Sequence, residues 1–240
     1  GETENDLSKL PRLNCNATII SNAGDYTITP LGAESENYEF NYEVGILTIQ
    51  KRSLIATPNN TSRAYGDNNP VITFSYDGFV NGNTVSAISQ QPTVTTTATQ
   101  TSPVGNYEMT CSGGNAINYS FIYEKGNLEI TKAPLTVKPN NVNRLYNEEN
   151  PPFTLSYSGL KNSETKTVLQ EEPQMDCIAT SGSPAGQYPI TVTGGIAQNY
   201  SFVYNSGTLT INKVSVTIWA DTIISTYGDT PPQFTCKYTG

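Results

Sequence analysis

Eight sequence positions return every 81 residues, with no insertion or deletion between copies. Tyr26, Tyr107 and Tyr188 keep this step, as do Tyr38, Tyr119 and Tyr200. So do Gly45, Gly126 and Gly207, and Lys51, Lys132 and Lys213. Elsewhere in the period Tyr65, Tyr146 and Tyr227 recur, followed by Pro70, Pro151 and Pro232. Tyr76, Tyr157 and Tyr238 then precede Gly78, Gly159 and Gly240. A fixed step of this kind restricts the chain to an array of one small unit, each copy built on the same pattern.

The text inside the period is that of strands and turns. Gly24, Gly105 and Gly186 each open a run with Tyr and then Ile or Met at alternate positions, the pattern of a half-buried strand. Asn199 to Tyr204, then Asn205-Ser206-Gly207, then Thr208 to Ile211 predict a hairpin with Gly207 in a φ > 0 turn conformation. Asn118 to Ile130 and Asn37 to Ile49 are its counterparts. No stretch sustains an apolar period of 3.6. Ser86 to Gln91 supports one helical turn at most. The abundance of Thr, Tyr, Val, Ile, Gly and Pro agrees with strands joined by turns.

Tyr65-Gly66-Asp67, Tyr146-Asn147-Glu148 and Tyr227-Gly228-Asp229 each lead into a further strand. These turns, with the Leu-Thr-Ile-x-Lys ending of each period, resemble the MBG repeats of YGX type found in bacterial cell-surface and adhesin-like proteins. The resemblance covers nearly the whole chain. It implies a mostly β module on an exported protein and brings no catalytic or ligand residue with it. Asn147 departs from the Gly of the other copies, mildly, since Asn also tolerates the left-handed region.

The expected fold is therefore all-β: an elongated tandem array of modules of about 81 residues, each a two-sheet, Ig-like β-sandwich. A β-grasp-like sheet is the alternative, because few strands fit in one period. The Gly-x-Tyr-x-Ile strand loosely resembles the Tyr-bearing strand of Ig-like domains. Apolar parity inverts at each junction: Leu128 and Ile130 share one parity, Leu135 and Val137 the other, with Lys132 between. That phase divides the chain into 1–51 (the C-terminal part of a module), complete modules 52–132 and 133–213, and 214–240 (the N-terminal part of a module). The alternative phase is 1–81, 82–162 and 163–240. In the first phase the two partial modules complement one another, which opens head-to-tail pairing between chains. The polar run at residues 1–6 has the look of a processed or engineered start, so the lack of a visible signal says little about compartment.

Chemistry is sparse. There is no histidine, which removes the commonest general base and metal ligand. A net charge of −8 argues against nucleic acid, and no apolar run has the length of a spanning helix. Cys15, Cys111, Cys177 and Cys236 form no Cys-x-x-Cys pair; at least two are expected to be buried thiols, and bridges between modules are the alternative. Asp67, Glu148, Glu149 and Asp229 are the only Ca²⁺ candidates, set against the plainer reading that such turn residues bond their own backbone. The recurrent Lys suggests either an isopeptide crosslink or a charge capping a strand end, and the cap is the expectation. Recurrent Tyr and Gly positions (Tyr26, Tyr107, Tyr188, Tyr65, Tyr146, Tyr227, Gly45, Gly126, Gly207) are expected to be structural.

The expected function is non-enzymatic, with no cofactor: a spacer, stalk or interaction surface in an exported bacterial surface protein, located extracellularly or on the cell surface. Its partner would be a protein or glycan there. The alternative is a glycan- or protein-binding module that uses the loops 82–92 and 162–173, where the copies diverge.

Overall fold

A computed structural model describes residues 7–240, so the polar start lies outside the described residues. The chain forms two compact units. The residues up to Arg63 join Asp67–Ile130 in one; Ala64–Gly66 join Thr131–Gly240 in the other. Nearly all regular structure is strand. The expected helical turn at 86–91 is a single 3-10 turn at Val85–Ala87, with a counterpart at Lys166–Val168.

In the first unit, Arg52–Pro58 is the centre of a three-stranded sheet. It pairs in parallel with Tyr119–Tyr123 and antiparallel with Phe74–Asp77. A four-stranded sheet holds Thr61–Ala64, Gly126–Thr131, Gly105–Ser112 and Thr93–Thr96 in that order. The second unit repeats the plan 81 residues later. Ala133–Pro139 lies between Leu155–Ser158 and Tyr200–Tyr204, and the second sheet runs Val142–Leu145, Gly207–Asn212, Gly186–Thr193, Gln174–Asp176. These paired sheets are those of a β-sandwich module.

Alternation builds the core. Ala133, Leu135, Val137 and Pro139 are buried while their neighbours face out, and Gly207, Leu209 and Ile211 do the same from the other sheet. Each fully buried Leu or Ile contributes about 1.5–3 kcal/mol. In the second unit Ile190, Leu209 and Ile211 pack with Ala179, and Phe153 and Tyr188 close over them. The parity inversion is present: even-numbered Leu128 and Ile130 are buried before the junction, odd-numbered Leu135 and Val137 after it. Lys132 is the residue at which the alternation resets, and its ammonium donates to the Ala197 carbonyl at 2.9 Å. Lys51 makes the same bond to Ala116 at 2.8 Å.

The expected hairpin is not formed. Tyr200–Tyr204 and Gly207–Asn212 lie in different sheets and do not pair with each other. Instead each pairs in parallel with the entering arm of the module, and the register is continuous. Ala133 lies opposite Tyr200 and Val142 opposite Leu209, the same 67-residue offset in both sheets. At the bend between the sheets Asn141 Oδ1 accepts from the Thr208 amide at 3.0 Å, as Asn60 Oδ1 does from Asn127 at 2.8 Å. Nor is Gly207 a left-handed turn residue; it, Gly45 and Gly126 are all absent from the positive-φ glycines. Gly207 is required because a Cβ there would lie 2.7 Å from the Pro139 carbonyl oxygen, and at Gly126 2.6 Å from that of Pro58. The period keeps glycine where the leaving arm crosses the proline of the entering arm.

The remaining strands form smaller sheets. Arg12–Cys15, Gly24–Leu31 and Gly45–Ile49 make one in the first unit, and Thr217–Ala220 pairs with Cys236–Thr239 in the second.

Candidate functional site

The recurrent tyrosines divide into distinct structural roles. Tyr26, Tyr107 and Tyr188 each donate to the carbonyl four residues upstream, those of Asn22, Pro103 and Pro184, at 2.8–2.9 Å. This is the tyrosine corner of Ig-like sandwiches, reached from the Gly-x-Tyr text. Tyr123 and Tyr204 donate to the carbonyls of Gly113 and Gly194. Tyr119 and Tyr200 are buried in the three-stranded sheets, with their hydroxyls turned toward the loops at 80–83 and 161–164.

The Tyr-Gly turn behaves differently in each copy. Tyr65, with Ala64 and Gly66, belongs to the second unit and is only 3 % exposed. Its hydroxyl donates to Glu164 Oε1 at 2.5 Å, and Asn162 and Asn199 also reach it. The Tyr65 ring meets that of Tyr200 edge to face, with centroids 5.6 Å apart and planes at 82°. Such a pair contributes about 0.5–1.5 kcal/mol beyond its buried area. Tyr200 donates to the other Glu164 oxygen, so one carboxylate holds two phenols. Tyr200 also accepts the Lys161 amide at 2.9 Å. Burial, then the Glu164 acceptor, pushes both phenols above their ordinary range. Gly66 has φ +81°, and a Cβ there would overlap the Lys161 side chain. Tyr146 is half-exposed and Tyr227 fully exposed. Asn147 does adopt the left-handed conformation, at φ 70°.

Two buried arginines support these turns. Arg144 Nε donates to Asn150 Oδ1 at 2.8 Å, and its Nη2 to the Thr180 carbonyl at 2.5 Å. Asn150 in turn donates to the Ala179 carbonyl at 2.7 Å. Arg63, Asn69, Thr99 and Ala98 repeat the arrangement. Composition did not point to them, yet the signal was present: Arg63 and Arg144, and Asn69 and Asn150, are also 81 apart.

The acidic candidates sit apart from this cradle. Glu148 Oε2 accepts the Leu145 amide at 2.7 Å, a local turn bond. Asp67, Glu149 and Asp229 have exposed positions in their turns. Among the described residues no three His, Cys, Asp or Glu side chains converge as a metal site would require. All four cysteines are free thiols; Cys15, Cys111 and Cys177 are half-buried and Cys236 is exposed, so none reaches the full burial expected of two of them. The loops 82–92 and 162–173 differ in sequence but share a backbone course: Asn81 and Asn162 both have φ 53°, and each precedes a 3-10 turn. Glu164, which holds Tyr65, lies in the second loop.

The model of the MBG domain (YGX type) matches residues 1–48, 54–129 and 135–210. The chain belongs to the MBG family. No curated protein matches it. MBG domains are structural repeats of surface proteins and are not known as enzymatic modules. In this MBG chain the tyrosine of the YGX turn at 65 is therefore a packing residue, seated by a ring and a carboxylate.

Proposed function

We propose that the chain is a non-enzymatic spacer segment of an exported bacterial surface protein, carrying load between a cell and what it contacts. One observation supports this above the rest. In the complete module of the second unit the entering and leaving arms pair in parallel, with one 67-residue offset, through both sheets, and the three-stranded sheet of the first unit repeats that parallel pairing. Force applied to the two ends of such a module pulls those strands along their length. Their hydrogen bonds are then loaded together in shear, not peeled one by one. The cores of Leu, Ile and Tyr must also open before the arms separate. A module can do this work through topology alone.

Single-molecule stretching of the 240-residue chain tests this reading. Two principal unfolding events are expected, each releasing a contour of about 270–290 Å less the folded end-to-end distance. Rupture at forces no higher than those of peeled hairpins would overturn it. A second reading, recognition of a protein or glycan at the cell surface, is favoured by the loops 82–92 and 162–173, whose side chains diverge on a shared backbone. Loop-dependent capture on a glycan or matrix-protein array would carry it.

A further inference from the structure

The sequence holds a single Asn-Gly pair, Asn81-Gly82. It forms the tip of a β-turn from Val80 to Asn83, which the Asn83 amide closes by donating to the Val80 carbonyl at 3.0 Å. Asn81 has φ 53° and Gly82 φ 72°, so the turn is of type I′, the turn that Asn-Gly favours. The period repeats it from Lys161 to Glu164. There the Glu164 amide donates to the Lys161 carbonyl at 2.8 Å, and Asn162 and Ser163 have φ 53° and 59°. The two turns share one backbone course and differ in the residue after the asparagine: glycine in the first, serine in the second.

That difference bears on a reaction. A backbone amide nitrogen can attack the side-chain carbonyl of the asparagine before it, and a side chain on the attacking residue hinders the approach. Gly82 has no side chain, and a Cβ built on it would meet no atom within 4 Å. Its amide has no hydrogen-bond partner among the described residues, so the nitrogen faces solvent that can take its proton. Both residues of the pair are exposed. Asn81 Nδ2, the group that must leave, donates to the Ile19 carbonyl at a long 3.3 Å.

We infer that Asn81 is a site of self-modification, at which an exposed amide is converted to an acid without an enzyme. The Gly82 nitrogen bonds to Asn81 Cγ, the Cγ–Nδ2 bond breaks, and Nδ2 leaves as ammonia with the proton of the Gly82 amide. Solvent water then opens the cyclic imide at either carbonyl. The product at position 81 is an aspartyl residue or, with the chain rerouted through the side-chain carbon, an isoaspartyl residue. The isoaspartyl form lengthens the backbone inside the turn by one atom. This turn seats Tyr119: the Val80 amide and Asn83 Nδ2 both donate to its hydroxyl, at 3.2 and 2.9 Å. Tyr119 belongs to the buried core of the first unit, so conversion loosens the turn's hold on that core. None of this depends on whether the modules bear force.

Peptide mapping of the 240-residue chain, fresh and after ageing in mildly alkaline buffer, tests it. The peptide containing residue 81 gains the mass of an amide-to-acid exchange and splits into two chromatographic forms, while Asn162 stays an amide. Gly82→Ser gives the first unit the turn text of the second and slows conversion at Asn81 to that of Asn162. Ser163→Gly does the reverse and makes Asn162 a second site. The two exchanges are independent, and a melt before ageing shows which variants are folded. The isoaspartyl fraction, separated from the aged chain, melts at a lower temperature in its first unit than the fresh chain does. Equal rates at Asn81 and Asn162 in the wild-type chain overturn the inference, as does conversion that fails to follow the glycine in the exchanged turns. An isoaspartyl fraction that melts with the fresh chain overturns the effect on Tyr119.

Discussion

The hydroxyl of Tyr65 donates a 2.5 Å hydrogen bond to the carboxylate of Glu164, ninety-nine residues further along the chain. Tyr200 donates to the same carboxylate. Glu164→Ala would leave two buried phenols without their acceptor, a loss of about 1–3 kcal/mol for an unmet buried polar group. The expected result is a lower denaturant midpoint for the second unit, with the first unit unchanged. Fluorescence of Trp219, which lies in the second unit, together with far-UV circular dichroism, separates the two.

The same pair sets an alkaline limit. The folded phenols of Tyr65 and Tyr200 titrate above their unfolded value near 10, through burial and then the Glu164 acceptor. In that range the unfolded state has released protons that the folded state keeps, so stability falls as pH rises. The contribution is complete below pH 10 and is lost above it. Denaturant midpoints measured from pH 8 to 11.5 should be flat and then fall. Tyr200→Phe should reduce the steepness of the fall, whatever it does to the midpoint at pH 8.

The glycines at the arm crossing should not be equivalent. A methyl at Gly126 meets the Pro58 carbonyl at 2.6 Å and Met109 Cε at 3.0 Å. At Gly45 the nearest atom is Ile28 Cβ, at 3.6 Å, an ordinary contact. Gly126→Ala and Gly207→Ala are therefore expected to destabilise their modules by about 1–3 kcal/mol, the range for overpacking a core. Gly45→Ala should be nearly silent. Thermal melts of the three variants check the contrast.

These glycines also mark the limit of what the sequence discloses. The 81-residue step, the strand alternation, the tyrosine corner text and the parity change at Lys132 were all legible, because each is a local pattern that repeats. The path of the arms was not. A leaving arm such as Tyr200 to Ile211, with Gly207 inside it, has the same alternation whether it turns back as a hairpin or crosses between sheets. Only the long-range parallel register decides between them, and nothing near Gly207 encodes residue 139. The seat of Tyr65 was hidden for a related reason. The tyrosine recurs, but its acceptor does not: Glu164 stands where the preceding copy has Asn83. Arg144 and Asn150 were recoverable, since both keep the step; their charge and polarity drew attention to the surface instead of to a buried bond.

One tyrosine of the three-stranded sheets allows the opposite substitution to be favourable. The hydroxyl of Tyr76 is buried with no hydrogen-bond partner among the described residues, whereas Glu172 lies within reach of its counterpart Tyr157. Burial pushes the Tyr76 phenol up, so it stays neutral. Removing such a hydroxyl relieves the desolvation of an unpaired polar group and keeps the ring, which stacks near Phe74 and tilts against Phe79 at 5.9 Å. Tyr76→Phe is therefore expected to leave the melting temperature unchanged or to raise it, by up to about 1–2 kcal/mol of stability. Tyr107→Phe is the control, because it breaks the 2.9 Å bond to the Pro103 carbonyl. That variant should lose about 0.5–1.5 kcal/mol, the net value of one ordinary hydrogen bond.

Arg144 gives the sharpest test of a buried charge in the module. The residue is 5 % exposed, and its guanidinium spans three acceptors: Asn150 Oδ1 and the carbonyls of Leu145 and Thr180. The planar fork serves these directions at once, which a lysine ammonium cannot do. Arg144→Lys should therefore behave as a loss, not as a conservative exchange. Hydrogen bonds to a charged group are each worth about 1.5–3 kcal/mol, so losing one or two lowers the second unit's stability by at least that range. Because Asn150 also holds the Ala179 carbonyl, Asn150→Ala should lower stability by a similar amount. The double variant should fall short of the sum, since both substitutions break the same Arg144–Asn150 bond. A full sum in a double-mutant cycle on urea unfolding would mean that the two side chains act separately, and the shared bond would then contribute nothing to the turn.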